Sequence, residues 1–102
     1  MKFTLIGAIA LSAATASAAH AESGYCEKMG MFAEAVMVNR QNQVPLSSAM
    51  APTYDAEADG WRFRKIILAA YMQPAYRTQD FQTMEIANFR NLVEVECYKA
   101  GQ

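Results

Sequence analysis

Residues 79–99 read QDFQTMEIANFRNLVEVECYK, 21 positions without a glycine or proline. Thr78 stands ready as an N-cap and Asp80 falls in the first turn, so the stretch predicts one long helix. On a helical wheel its apolar residues divide between two faces. Phe81, Met84, Leu92 and Val95 form one; Ile86, Phe89, Val93 and Cys97 form the other. A helix with two apolar stripes calls for neighbours on both sides. The pattern therefore predicts this helix as the central element of the core.

Cys97 ends that pattern, and the only other cysteine is Cys26 in SGYCEKMG. Their redox state follows from the N-terminus. Residues 1–21 carry Lys2, an apolar run from Phe3 to about Leu11, and a small-residue tail closing on Ala19-His20-Ala21. This three-part layout predicts a secretory signal peptide cleaved after Ala21. The run is too short for a bilayer core, which needs about 20 apolar residues. The mature chain, Glu22 to Gln102, is then a single exported domain in the periplasm or beyond. At 81 residues it can bury only a marginal core. Small exported domains are commonly stapled, and an oxidising compartment preserves disulfides. A Cys26–Cys97 bridge is expected, across 71 positions. A redox couple would place its cysteines closer, as C-x-x-C.

Two more helices show the same periodicity. Over 24–41, Tyr25, Cys26, Met29, Phe32, Ala33, Val36 and Met37 share a face, with Glu27, Glu34 and Gln41 marking the opposite, polar side. Over 58–72, Phe63, Ile66, Ile67, Ala70 and Tyr71 form one face, and Trp61, Leu68 and Met72 a narrower second stripe. Pro74 ends that helix by restricting Gln73. Between them lies NQVPLSSAMAPTYDAEADG, with a short helical turn expected over 46–50 behind Pro45. No stretch alternates as a strand would. The fold class is all-α: a small disulfide-stapled bundle of three long helices plus a short helical segment.

The bridge sets the helix directions. Bonded cysteines hold their Cα atoms within about 7 Å, so the first helix starts where the last one ends. The short QPAYRT link makes the second and last helices run in opposite senses. The first and second then run the same way, and the segment between them must travel back. About 15 residues span up to roughly 50 Å when extended, ample for a helix of about 18 residues, near 27 Å long.

Composition removes most chemistries. His20 is the only histidine and belongs to the predicted signal peptide. Without it, histidine-dependent nucleophiles and histidine metal sites are absent. There is no Gly-rich phosphate loop and no haem-attachment motif, so no cofactor is expected. Glu94 and Glu96, two apart on a helix, do not face each other as paired catalytic carboxylates would. Met29 and Met31 in KMGM point to nearly opposite sides, which argues against a copper chelate. With Lys2 removed, eight basic residues face ten acidic ones. That balance gives no footprint for nucleic acid and no basic stripe for anionic lipid. The sequence thus predicts no enzyme, no metal and no membrane attachment after signal removal.

Two features remain as candidates for binding a protein partner. Arg40 closes the first helix in VNRQNQVP, where it either caps the last carbonyls or reaches a partner. Trp61, Leu68 and Met72 form a stripe beside Lys65, with Tyr76 nearby. Either Leu46, Met50 and Tyr54 of the connecting segment cover this stripe, or it is an exposed patch rich in hot-spot residue types.

The layout as a whole resembles a group of short exported proteins of proteobacteria and phages. It is carried by the signal peptide, a first cysteine opening a helix that ends in Arg40-Gln41, then AYMQPAY, then NF in a helix ending ECYK. This resemblance implies a bacterial or phage exported protein and brings no catalytic residue with it. More loosely, in size, helicity and cysteine count, the chain is similar to the periplasmic acid-stress chaperones.

Overall fold

The computed structural model describes residues 24–56 and 58–101. The predicted signal peptide lies outside the described residues. Helix α1 occupies 24–41, α2 Leu46–Met50, a 3-10 turn Ala51–Tyr54, α3 Gly60–Tyr71 and α4 Gln79–Ala100. The all-α expectation holds.

Local chemistry explains the boundaries. Helix α1 ends in two overlapping reverse hydrogen bonds: Val44 N–H donates to Asn39 C=O at 3.0 Å and Gln43 N–H to Arg40 C=O at 3.1 Å. This is a Schellman closure, and it puts Gln43 at φ 61. Side chains with a Cβ are penalised there, and glycine is the usual occupant. Gln43→Gly is therefore expected to stabilise the fold by about 1 kcal/mol, read as a higher urea midpoint at unchanged m value. An unchanged midpoint would mean that the turn carries no such cost.

Pro45 then caps α2 from extended backbone. Helix α3 begins at Gly60, two residues later than the periodicity suggested. A Cβ on Gly60 would stand 2.8 Å from the Thr53 carbonyl oxygen, so glycine lets the 3-10 turn press against the start of α3. Thr78 occupies the N-cap of α4 as expected, yet its hydroxyl makes no capping bond.

Contacts at both ends of each pair give the directions. The Arg62 guanidinium donates to Tyr25 Oη at 2.7 Å near the starts of α1 and α3, and Arg40 Nε to Gln73 C=O at 3.0 Å near their ends. These helices run the same way. Helix α4 runs against α1: Cys26 is bonded to Cys97 with Cα atoms 5.5 Å apart, and Arg90 meets Glu34 at 2.7 Å. The returning segment lies along α3, from Val44, whose carbonyl accepts from Tyr71 Oη at 2.6 Å, to Thr53, whose carbonyl accepts from Arg64.

The centre of the bundle is α1, where α4 was expected. Five of the buried apolar residues belong to α1 (Cys26, Met29, Ala33, Val36, Met37), two to α3 (Ile67, Ala70), and α4 contributes Phe89 alone. The physical reason is the narrowness of α1. A Cβ on Gly30 would overlap the Glu94 side chain, and Ala33 is fully buried, so both other helices approach α1 closely. The rings of Phe32 and Phe63 meet at 4.8 Å on the α3 side. Helices α3 and α4 both pack on α1 instead of on each other. Only one of the two stripes of α4 is used: Phe89 with half-buried Ile86, Val93 and Cys97. The other, Phe81, Met84, Leu92 and Val95, stays about half exposed.

Candidate functional site

Because α3 and α4 diverge across α1, an open groove of about 740 Å³ separates them. Its floor is apolar: Met29 and the Cys26–Cys97 bridge from one side, Ile66, Ala69, Phe89 and Val93 from the others. Helix α3 supplies one rim with Trp61, Arg62 and Lys65, and α4 the other with Leu92 and Glu96. The rims thus carry opposite charges above a hydrophobic bed. That is a binding surface in shape and chemistry, since ligand sites combine apolar lining with a few placed polar groups.

The Trp61 stripe is uncovered. Trp61 is 55% exposed, Leu68 46% and Met72 84%. The connecting segment packs on another side of α3, where Ala49 and Met50 join the core around Ile67. Leu46 and Tyr54 themselves stay exposed. Trp61 and Lys65 stand at the groove, and Leu68 and Met72 extend the same outer face. Arg62 holds its guanidinium 5.0 Å over the Trp61 ring and 5.8 Å over Tyr25, which stiffens the mouth. Among the described residues no ion pair engages Lys65, so its ammonium is available.

Arg40 and Tyr76 lie elsewhere. Arg40 bonds Gln73 C=O and sits 5.5 Å over the Tyr71 ring. It closes the end of α3, where a cation complements the helix dipole. Tyr76 is half-buried, with its ring 5.6 Å from that of Phe81. Between them is Gln41, assigned to a polar face by its type and found buried. Gln41 Nε2 donates to Pro74 C=O at 2.9 Å, and Oε1 accepts from Tyr76 N–H at 2.7 Å. Arg40-Gln41 and QPAY therefore form one structural joint tying α1 to the α3–α4 elbow.

Two turns back along α1, Arg90 links Glu34 and Glu94, at 2.7 and 2.8 Å. The hydrogen bond to Glu94, then that to Glu34, raise the guanidinium pKa above the ordinary arginine value. Arg90 stays charged at any working pH, so only its two partners can break this link.

Groove residues that the sequence reading did not propose for partner binding include Tyr25, Met29, Arg62, Phe89, Leu92 and Glu96. Leu92 carried a signal in the second stripe of α4, but that stripe was expected to lie under a neighbouring helix. Among the described residues, no cluster of histidine, cysteine, aspartate or glutamate could hold a metal ion. No described helix is long and apolar enough to cross a membrane. The formed disulfide fits an oxidising compartment. No protein family, curated protein or solved structure matches this chain.

Proposed function

We propose that this chain is an exported, non-enzymatic helical protein, periplasmic or secreted, that binds another protein as an inhibitor or accessory factor. The observation that carries this reading is the exposed line of Trp61, Leu68 and Met72 running beside an open apolar groove. Isolated exposed apolar residues are ordinary, whereas a contiguous patch with an aromatic anchor marks an interaction surface. The groove suits the apolar side of an amphipathic helix. An acidic residue on that helix would meet Lys65 on the α3 rim. Within the groove, Arg62, Lys65 and Glu96 supply charge but no nucleophile paired with a base.

The test is affinity capture of the tagged mature protein from its host's periplasm, with mass spectrometry, run beside Trp61→Ala and Lys65→Glu. Both positions are exposed, so both variants are expected to fold. Expected is a partner retained by the wild type and reduced at least tenfold by Trp61→Ala, a hot-spot-sized effect. A partner held equally by all three would show that the groove is not its site.

A second reading, an acid-activated chaperone, is favoured by the Glu34–Arg90–Glu94 link. Loss of the Arg90–Glu34 contact in strong acid would loosen α4 from α1 and widen the groove. It requires lost near-UV circular dichroism and gained dye binding at about pH 2 to 3. A native near-UV spectrum at that pH would reject it.

A further inference from the structure

The outer face of α4 holds a pattern that the groove does not use. Phe81, Met84, Asn88, Asn91, Val95 and Tyr98 fall at alternating three- and four-residue spacing, the a and d positions of a coiled coil. All six are solvent-exposed. They point away from the face that packs on α1, where Ile86, Phe89 and Val93 lie.

The seam is also a palindrome in character. It reads aromatic, aliphatic, asparagine, asparagine, aliphatic, aromatic. A surface of this kind is complementary to itself under a two-fold axis, as an isologous dimer contact must be. We propose that α4 pairs with α4 of a second copy of this chain, antiparallel, with the axis passing between Phe89 and Arg90. In that register Phe81 meets the other copy's Tyr98, Met84 meets Val95, and Asn88 meets Asn91, so each layer joins like with like. The helix dipoles oppose, which favours the antiparallel sense. A parallel pair would align the dipoles.

The paired asparagines fix the register. One-residue or one-turn slips would bury an amide against an apolar side chain, a role that polar residues at a and d positions fill in coiled coils. The seam is short. With its large side chains about half exposed in the single chain, pairing removes on the order of 1,000 Å² over both copies, at the lower edge of specific interfaces. The dimer is therefore reversible, with a dissociation constant in the micromolar range. Both grooves stay open, because they lie on the flank of α4 beyond Leu92.

The test is sedimentation equilibrium of the purified disulfide-bonded protein from about 1 to 200 µM, a range bracketing the expected constant. A monomer–dimer equilibrium is expected. Met84→Glu and Asn88→Leu probe the seam, and Trp61→Ala probes the groove. Met84→Glu is expected to give monomer throughout, with unchanged circular dichroism. Asn88→Leu is expected to relax the fixed two-fold register into higher or mixed oligomers. Trp61→Ala leaves the dimer intact while reducing partner capture at least tenfold, so the two surfaces fail separately. A monomer at 200 µM or a dimer indifferent to Met84→Glu would each overturn the proposal.

Discussion

Removing the Cys26–Cys97 bridge is expected to lower the unfolding free energy by roughly 4 kcal/mol, the chain-entropy value for a loop of this length. The loop closes 71 positions, nearly the whole predicted mature chain, so the bond constrains almost all of the unfolded ensemble. A domain of this size holds only about 4 to 12 kcal/mol in total. The paired Cys26→Ala/Cys97→Ala variant should therefore lose a third or more of its stability, about 4 of about 4 to 12 kcal/mol. The paired substitution is the cleaner experiment, because it leaves no lone thiol. Reduction of the wild type provides the same comparison without mutation. Urea unfolding with and without reductant measures the difference, and the m value reports whether the unfolded chain has expanded.

Local effects follow the same bond. Both cysteines belong to the groove floor, and Phe89 is the one other deeply buried tie of α4 to the core. Loss of the bridge frees the start of α1 and the end of α4 together. Groove binding should weaken in proportion to unfolding, and recover at low temperature where the fold persists. A loss below about 1 kcal/mol would show that Phe89 and the Arg90 ion pairs suffice to hold α4, and that the bridge closes a loop already ordered in the unfolded chain.

The helix spans and their directions were legible in the sequence for definite reasons. Apolar spacing marked α1, α3 and α4, while Pro45 and Pro74 set boundaries that local sterics enforce. The two cysteines then fixed which ends meet. Depth of burial was not legible, because a wheel ranks positions by residue type and leaves the neighbour unspecified. Helix α4 looked central from its two stripes. The deciding feature was instead the small cross-section of α1 at Gly30 and Ala33, which drew α3 and α4 onto it and apart from each other. The groove is the consequence of that separation, so no single segment announces it. The Trp61 stripe was readable as a stripe; its exposure depended on which side of α3 the returning chain took. On α4, Asn88 and Asn91 interrupt the outer stripe and hid its heptad spacing from a purely hydrophobic count.

Gln41 is the sharpest case of type misleading position, and it carries the second large effect. Its amide satisfies two backbone groups, the Pro74 carbonyl and the Tyr76 N–H, at the elbow where α3 hands over to α4. Neither has a helical partner there; both bonds are part-buried, so each group left unpaired costs toward the lower end of about 1 to 3 kcal/mol. Gln41→Leu keeps the volume and removes both bonds, so a loss of about 2 kcal/mol is expected. Gln41→Glu separates hydrogen bonding from packing. Its neutral acid can still donate to Pro74 and accept from Tyr76, whereas its carboxylate would face the Pro74 oxygen with no proton to offer. Burial and that carbonyl both favour the neutral form, raising the folded-state pKa of the introduced acid above its unfolded value. The variant should approach wild-type stability below the unfolded pKa and lose it as pH rises through the folded one. Stability differences between the variant and wild type, measured at matched pH values from acid to neutral, give this slope directly. A flat difference, with Gln41→Leu no worse than about 1 kcal/mol, would mean that water replaces the amide at the elbow, and that the joint between Arg40-Gln41 and QPAY is held by Arg40 alone.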